Sequence, residues 1–230
     1  MKRPKISVII PAFNEENAVG LVVKAIPSEW VDHVIVVNNA STDDTRRSAE
    51  KEGAIVIDQP AKGYGNACLK GIEYVNNMSE KPDIIVFLDA DYSDYPEELP
   101  LLVKPIIEDN VDMVIGSRAL GNRDNGSMTF PQIFGNWLAT RLLKLFYNYT
   151  FTDLGPFRAI KYEQLIAINM VDKTYGWTVE MQVKAAKHKL VCTEVPVNYR
   201  NRIGTSKVSG TVKGAVSAGY KILYTIFKYL

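Results

Sequence analysis

Short apolar runs alternate with amphipathic stretches through the first half of the chain. The apolar runs predict five strands, over residues 6–10, 34–37, 54–57, 84–88 and 113–115. Each run is apolar throughout instead of alternating with polar residues, which is typical of strands that are buried on both faces. The pattern therefore predicts an α/β fold with a mostly parallel central sheet and helices on both faces.

The stretches between these runs carry the three-to-four-residue apolar spacing of helices. They predict helices over residues 16–26, 64–76 and 96–108. A further helix is expected after the second strand, with Ser41 or Thr42 as its N-cap. Asp43 and Asp44 would then occupy its first turn, where the helix dipole favours negative charge.

The second half has longer polar segments between its elements. Residues 120–129 predict a polar loop, and further elements are expected over 134–147 (helix), 179–188 (helix), 191–197 (strand) and 211–230 (helix). No internal repeat and no low-complexity linker divides the chain. We therefore expect one domain over residues 1–230, with a first half to about 118, a second half over about 119–210 and a C-terminal helix.

Composition and charge narrow the functional classes. Apolar residues make up 47% of the 230 residues, and 27 basic against 26 acidic side chains give a net charge of +1, so overall charge predicts no nucleic-acid partner. Cys68 and Cys192 lack zinc-site or CxxC spacing, which favours reduced thiols in a cytoplasmic protein. We expect no signal peptide, and no run approaches the ~18 apolar residues of a membrane-spanning helix.

Polar residues follow the predicted strands, at the edge where parallel sheets bind ligands. The sharpest pattern is Asp89-Ala90-Asp91, directly after the fourth strand. Two carboxylates this close are stabilised by a cation, and Mg²⁺ or Mn²⁺ fits because hard cations take carboxylate and phosphate oxygens. Alone, the pattern fits equally well a turn that Asp89 caps while Asp91 is solvated.

Five short motifs, taken in order, resemble glycosyltransferase family 2, whose members have the GT-A fold. They are Pro11-Ala12-Phe13-Asn14-Glu15, Asn39-Ala40-Ser41-Thr42-Asp43-Asp44-Thr45, Lys62-Gly63-Tyr64-Gly65-Asn66-Ala67, Asp89-Ala90-Asp91 and Gly116-Ser117-Arg118. Each is weak alone, but their order and their positions after strands make the set specific. Segments 152–158 and 200–207 resemble the branch that transfers mannose or glucose to dolichyl or polyprenyl phosphate.

The resemblance implies a nucleotide-sugar donor bound mainly by the first half. The residues that match the family's donor positions are Pro11, Phe13, Glu15, Asn38, Asn39, Lys62, Gly65, Asp89, Arg202 and Lys207. Asp89 and Asp91 would hold Mg²⁺ or Mn²⁺ on the donor diphosphate, and Arg202 and Lys207 would close over its phosphates. At Gly65 the nucleotide would approach the backbone closely.

The resemblance also implies an acceptor bound by the second half, with inversion at the sugar. Ser117, Arg118 and Arg141 would grip an acceptor phosphate, since a guanidinium binds phosphate oxygens in pairs. A phosphate is already ionised and needs no base, whereas an alcohol needs one, for which Asp153 and Glu180 are the catalytic candidates. The alternatives are a turn-stabilising carboxylate at Asp153 and a first-turn helix carboxylate at Glu180.

Asn38-Asn39 departs from the family pattern, in which aspartate is common at this place. An amide oxygen accepts from the imino group of uracil, while the two adjacent donors of guanine suit a carboxylate better. The sequence therefore favours a UDP-sugar, with GDP-mannose as the alternative. Tyr92 and Gly155-Pro156 also depart from the pattern and leave the sugar and the acceptor open.

The predicted C-terminal helix over 211–230 combines an apolar stripe with flanking lysines. The stripe consists of Val212, Val216, Tyr220, Leu223, Phe227 and Leu230. Such a helix can lie on the cytoplasmic face of an anionic membrane, which suits a lipid-phosphate acceptor, or it can pack on its own domain.

Other functions are weighed against this hypothesis. Transfer to a soluble alcohol, either a small metabolite or a glycan, is the rival reaction, and a degenerate nucleotide-sugar binding module is the rival without catalysis. Nucleotidyltransferases and dinucleotide-binding dehydrogenases are disfavoured, because a glycine-rich loop is missing after the first strand, where this chain has residues 11–15.

Overall fold

The computed structural model describes residues 3–204 and 212–230. Within them, seven strands form one sheet: β1 (Ile6–Ala12), β2 (His33–Asn38), β3 (Ile55–Asp58), β4 (Ile84–Phe87), β5 (Met113–Ser117), β6 (Arg158–Lys161) and β7 (Cys192–Pro196). Their order is β3-β2-β1-β4-β6-β5-β7. Only β6 runs antiparallel to its neighbours, β4 and β5, among these strands. The predicted mostly parallel sheet is confirmed.

Eight α-helices occur in the described residues: α1 (Val19–Ala25), α2 (Thr45–Lys51), α3 (Tyr64–Asn77), α4 (Leu99–Glu108), α5 (Phe130–Tyr147), α6 (Tyr162–Ala167), α7 (Trp177–Lys187) and α8 (Val212–Lys228). A 3₁₀ helix, Pro96–Glu98, precedes α4. Successive side chains of β1 point to opposite faces. Val8 and Ile10 pack with α1, α2 and α4, while Ile9 packs with α3, α5, α7 and α8. The sheet is therefore covered on both faces, as predicted.

The sequence pattern predicts neither β6 nor α6. β6 contains two charged residues in four, and its Arg158 is fully buried. The Arg158 guanidinium donates to the carbonyl oxygens of Leu154, Gly155 and Thr178, which satisfies it inside the fold. Burial lowers the pKa of Arg158 to about 10. A buried arginine that binds local carbonyl groups has no periodic signature, so this strand escapes a hydrophobic pattern.

The helix expected to follow a cap at Ser41 or Thr42 begins later, at Thr45. Asp43 precedes the helix and accepts a hydrogen bond from the Thr45 N–H at 3.1 Å, so it does not occupy the first turn. The Asn14 N–H donates to the Ser41 hydroxyl at 3.0 Å, and the Thr42 N–H donates to Asn14 Oδ1 at 2.8 Å. These bonds join the loops after β1 and β2, and the polar side chains serve that junction instead of capping the helix.

α8 packs on the domain through one face only. Thr225 and Ile226 are buried, and the rings of Phe146 and Phe227 meet edge to face, with centroids 5.4 Å apart. Most described residues of the predicted apolar stripe are exposed, such as Val216 at 66% and Tyr220 at 69%, while its Phe227 contacts Phe146. None of the helices in residues 3–204 and 212–230 is long and apolar enough to cross a membrane.

Candidate active site

A cavity of about 290 Å³ opens where β1, β2 and β4 end. Most residues that were predicted to bind the donor or the metal line it: Pro11, Phe13, Glu15, Asn39, Lys62, Asp89, Asp91 and Arg202. The parallel strands bring these residues together because their carboxyl ends share one edge of the sheet. Lys207 lies outside the described residues, and its role stays a prediction.

Asp89 and Asp91 both face this cavity. The Tyr64 hydroxyl donates to Asp89 Oδ1 at 3.0 Å, and the Ser93 N–H donates to Asp91 Oδ1 at 3.0 Å. Burial, together with the charge of Asp91, raises the pKa of Asp89 to about 7. Such a rise means that two negative charges are unfavourable here, and a bound cation would relieve them.

Arg202 lies across the carboxylates of the cavity. Its Nη1 is 3.1 Å from Asp91 Oδ2, and its Nη2 is 2.6 Å from Glu15 Oε1. Its Nε is buried and has no hydrogen-bond partner in the part of the chain that the structure describes. A positive group thus contacts one of the two predicted metal ligands.

The carboxylates fit a divalent cation that shares its ligands with a substrate. No group of three or more His, Cys, Asp or Glu side chains that could hold a metal occurs among residues 3–204 and 212–230. Asp89 and Asp91 therefore offer two side chains, which matches Mg²⁺ and Mn²⁺ sites built from one or two carboxylates with water and phosphate oxygens. Donor phosphates would complete the coordination.

Asn39 stabilises a loop through its side-chain amide. Its Nδ2 donates to the carbonyl oxygens of Gln59 at 3.0 Å and Ala61 at 2.8 Å, and its Oδ1 accepts from the Gly63 N–H at 2.8 Å. Both amide hydrogens are used, and the amide oxygen, which the expected base contact would use, already accepts this one hydrogen bond, so that contact stays a prediction. Asn38 does not line the cavity, and its Nδ2 donates to Asp58 at 2.9 Å.

Gly65 lies behind the cavity wall, against the protein's own backbone. A Cβ placed on Gly65 would lie 2.0 Å from the Asp172 carbonyl oxygen, and one on Gly63 would lie 2.3 Å from the Lys173 carbonyl oxygen. Glycine is required here because the loop over 172–174 packs directly on the start of α3. We expected a nucleotide to lie close to the Gly65 backbone, but the loop over 172–174 occupies that position instead.

Glu180 holds that same loop in place. Its carboxylate is fully buried and accepts hydrogen bonds from the Asp172 N–H at 2.7 Å, the Val171 N–H at 3.1 Å and the Tyr229 hydroxyl at 2.6 Å. Lys184 Nζ lies 3.0 Å away. This buried carboxylate binds four groups of its own fold and lines neither this cavity nor a second one along α5, which argues against Glu180 as a base. Its first-turn position in α7 agrees with the alternative.

Asp153 and Arg118 form a buried ion pair. The backbone N–H and Nε of Arg118 each donate to Asp153 Oδ2 at 2.8 Å, and Nη2 donates to Oδ1 at 2.7 Å. Both carboxylate oxygens are engaged and the side chain is buried, which argues against Asp153 as a base. The ion pair orients Arg118. Of its three guanidinium nitrogens, Asp153 binds Nε and Nη2 but not Nη1.

Ser117 does not reach an acceptor phosphate. It is fully buried, and its hydroxyl oxygen lies 2.6 Å from that of Thr152 and accepts from the Leu120 N–H at 3.2 Å. The serine joins the end of β5 to segments 118–120 and 152–153, and this positions the neighbouring Arg118. The prediction that Ser117 contacts an acceptor phosphate is therefore wrong, and its role is structural.

A second cavity, of about 400 Å³, runs along α5 and reaches Asp153. Three cations line it: Arg123, Arg141 and Lys144. Arg141 is exposed and lies 6.0 Å from the centroid of the Trp137 ring. Sequence reasoning found Arg141 but missed Arg123 and Lys144, although Lys144 follows Arg141 by one helical turn.

Asp94 is a buried carboxyl that the motifs did not single out. It is 2% exposed, and neither of its oxygens has a hydrogen-bond partner among the described residues. Burial raises the pKa of Asp94 well above its usual range, and the charge of Asp89 raises it further. Its spacing of three residues from Asp91 was a possible signal, but only the fold shows that it is buried.

Comparison with known proteins agrees on one family for most of the chain. The family model described as Glycosyl transferase family 2 matches residues 7–166. A protein of Mycobacterium tuberculosis described as an uncharacterized glycosyltransferase is 32% identical over 216 residues, which cover 93% of this chain and 94% of the relative. An undecaprenyl-phosphate mannosyltransferase of Micrococcus luteus is 29% identical over 225 residues, with 91% and 90% covered.

Solved structures share the fold. Glucosyl-3-phosphoglycerate synthase from Mycobacterium tuberculosis, in complex with Mn²⁺, UDP and phosphoglyceric acid, has a TM-score of 0.77 at 22% identity and covers 98% of this chain and 78% of that one. The same synthase with Mg²⁺ and UDP has a TM-score of 0.74 at 21% identity, with 98% and 79% covered. The expected GT-A fold is thereby confirmed.

Asp94→Asn should stabilise the protein increasingly as pH rises. A carboxyl with a raised pKa keeps its proton in the folded state while the unfolded chain loses it, so wild-type stability falls above the usual aspartate pKa of about 4. An amide has no proton to lose. Urea unfolding would give the free energy of unfolding of the wild type and of Asp94→Asn at about pH 4 and about pH 8. The difference between the two free energies should be larger at the higher pH. The matched control is Asp109→Asn, at an exposed aspartate. If the difference in unfolding free energy between Asp94→Asn and the wild type is the same at both pH values, the argument is contradicted.

Proposed function

Since the chain belongs to glycosyl transferase family 2, we propose that it transfers a hexose from a nucleotide-sugar donor to a phosphate-bearing acceptor. The observation that carries the proposal is the convergence of Asp89, Asp91 and Arg202 in one cavity at the carboxyl ends of the strands. This arrangement suits a diphosphate bound with a divalent cation. It argues against the degenerate-module alternative, because both metal carboxylates are retained.

The donor would lie along the end of β1. Phe13 offers a flat apolar surface for a base, and Lys62 Nζ lies 4.8 Å from the centroid of its ring, within reach of phosphate charge. A UDP-sugar is the favoured donor, and the presence of UDP in the structurally similar synthase supports this choice. GDP-mannose remains the alternative, since both amide hydrogens of Asn39 donate to its own loop and leave its oxygen as the atom that a base could contact.

Positive charge around the cavity would stabilise the departing nucleotide. A bound Mg²⁺ or Mn²⁺ ion would supply Lewis-acid stabilisation to the diphosphate. Asp89 and Asp91 would orient that charge, while Lys62 and Arg202 would add fixed cations on the leaving side. Attack from the face opposite to the leaving group would invert the configuration of the sugar.

The state of the two candidate bases favours an ionised acceptor. The carboxylates of Asp153 and Glu180 are both buried and bound by other groups. An alcohol acceptor needs a base, whereas a phosphate oxygen already carries the negative charge that attacks. This difference disfavours the soluble-alcohol alternative and leaves a phosphate as the nucleophile.

The basic cavity along α5 would bind the acceptor phosphate. Arg123, Arg141 and Lys144 line it, while Arg118 lines neither cavity but interacts with one residue of each. Arg118 is paired with Asp153, which reaches the basic cavity, and its charge also lowers the pKa of Asp89 in the donor cavity. We infer that donor binding falls mainly to residues 1–118 and acceptor binding mainly to 119–210, although Arg202 contributes to the donor side.

An apolar surface beside the basic cavity favours a lipid phosphate. Phe130, Phe134 and Trp137 on α5 are 78%, 51% and 52% exposed, and Tyr220 and Phe227 on α8 are also exposed. Large exposed apolar side chains next to cations suit peripheral contact with an anionic membrane. The undecaprenyl-phosphate mannosyltransferase relative supports a polyprenyl phosphate, while the synthase bound to phosphoglyceric acid supports a soluble phosphate as the rival.

Asp91→Asn should abolish metal-dependent donor binding without unfolding the protein. Melting temperatures would be measured with a panel of UDP- and GDP-sugars, each with and without Mn²⁺. For the wild type, a ligand at about 100 times its dissociation constant adds about 2.7 kcal/mol, which raises the melting temperature. Asp44→Asn, at an exposed aspartate outside the cavity, should behave as the wild type. No rise with any donor in the wild type would refute the proposed function, and a full rise in Asp91→Asn would refute the metal assignment.

Phe130→Ser combined with Phe134→Ser should weaken binding to anionic vesicles and reduce transfer to polyprenyl phosphate in them by about tenfold or more. The melting-temperature rise with donor and Mn²⁺ should stay at the wild-type value, because the change lies outside the donor cavity. Leu101→Ser, at another exposed apolar residue on α4, is the matched control. Equal vesicle binding by all three proteins would favour the soluble phosphate instead.

A further inference from the structure

Arg202 already contacts the carboxylate that the proposed metal would use. Its Nη1 is 3.1 Å from Asp91 Oδ2, and Nη2 is 2.6 Å from Glu15 Oε1. Lys62 lines the same cavity, but its Nζ lies over the Phe13 ring. Among the described residues, Arg202 is therefore the cavity cation that forms an ion pair with a predicted metal ligand.

A guanidinium and a divalent cation compete for Asp91. Arg202 is held by attraction to the Asp91 carboxylate, a metal ion would be held by the same attraction, and two positive charges beside one carboxylate repel each other. A metal ion that approaches the free protein must therefore displace Arg202 or bind beside a positive charge. Either route weakens metal binding relative to a site made of Asp89 and Asp91 alone.

The contacts of Arg202 also show what would draw it away. Its Nε is buried and has no hydrogen-bond partner among the described residues, so the guanidinium is incompletely satisfied. A diphosphate offers several charged oxygens in the fork geometry that arginine prefers. If the Arg202 guanidinium left Asp91 and Glu15 and bound the diphosphate, its hydrogen-bonding groups would be satisfied and Asp91 would be released.

The backbone next to Arg202 is held while its side chain has room to exchange partners. The Ile203 N–H donates to the Asp91 carbonyl oxygen at 3.0 Å. The Arg200 guanidinium lies 3.5 Å and 4.0 Å from the ring centroids of Tyr92 and Tyr95. These contacts fix residues 200–203 against the segment that carries Asp91, so a side-chain movement of Arg202 is enough for the exchange.

We propose that Arg202 is a built-in counter-cation that excludes the divalent metal until a nucleotide diphosphate draws its guanidinium off Asp91. The inference rests on the proposed function, since it assumes that Asp89 and Asp91 bind a metal together with a donor. Its consequence is that metal and nucleotide bind cooperatively: each is bound weakly alone and tightly with the other.

The test measures Mn²⁺ binding without turnover. Free Mn²⁺ would be followed by its electron paramagnetic resonance signal during titration of the full chain, first without nucleotide and then with saturating UDP. Arg202→Met removes the cation and keeps an unbranched side chain. Lys62→Met, which removes the same charge from the same cavity without breaking a contact to Asp91, is the matched control, and Arg202→Lys is the charge-retaining variant.

Without nucleotide, Arg202→Met should bind Mn²⁺ about tenfold more tightly than the wild type, because a charged contact that competes with the metal is gone. Lys62→Met should change the affinity by less than about threefold, and Arg202→Lys should stay near the wild type. UDP should tighten Mn²⁺ binding strongly in the wild type and much less in Arg202→Met.

Two results would overturn the inference in distinguishable ways. If Arg202→Met binds Mn²⁺ alone no more tightly than the wild type, while UDP tightens binding in both, the counter-cation role is wrong and the proposed function stands. If the folded wild type binds no Mn²⁺ even with UDP and with other nucleoside diphosphates, the proposed function fails, and the inference fails with it. Melting temperatures of the variants without ligand would establish that each is folded.

Discussion

The crowding of negative charge at the carboxyl edge of the sheet is the constraint on which the rest of the site depends. Glu15, Asp89, Asp91 and Asp94 follow β1 and β4 within a short distance of one another, and burial removes much of the water that would screen them. Arg202 and Arg118 offset part of this repulsion: Arg202 pairs with Glu15 and Asp91, and the charge of Arg118 lowers the pKa of Asp89 and Asp94. Like charges held this close together destabilise the folded protein, and a bound cation with an anionic ligand would reduce their repulsion. Binding sites commonly lower stability in this way in exchange for affinity.

The remaining buried carboxylates serve the framework. Asp153 orients Arg118, and Glu180 binds the backbone of the loop at 171–172. Both were candidates for a base because an alcohol acceptor would need a carboxylate in the second half of the chain. Both oxygens of each carboxylate are instead engaged by groups of the protein itself, which indicates a structural role. The distinction between a functional and a structural carboxylate depends on partners that are distant in sequence.

The hydrophobic pattern of the sequence predicted those features that depend on residues close together in the chain. The buried runs gave the parallel strands, and residues placed directly after them, such as Asp89 and Asp91, did reach the cavity. The features that the pattern missed share a physical cause: β6 is held by the buried Arg158, and Gly65 packs against a loop that contacts it only in the folded chain. Long-range contacts carry no periodicity, so a single sequence could not reveal them.

The glycine contacts behind the cavity have a consequence for protein engineering. Gly63 and Gly65 meet the carbonyl oxygens of residues 172–173, so the packing of this wall is specified by main-chain atoms. The side chain of Lys173 can then be exchanged without altering the fit, and the adjacent Tyr175 lines the donor cavity. Under the proposed function, the segment is a suitable position for libraries that alter sugar preference, provided that both glycines are kept.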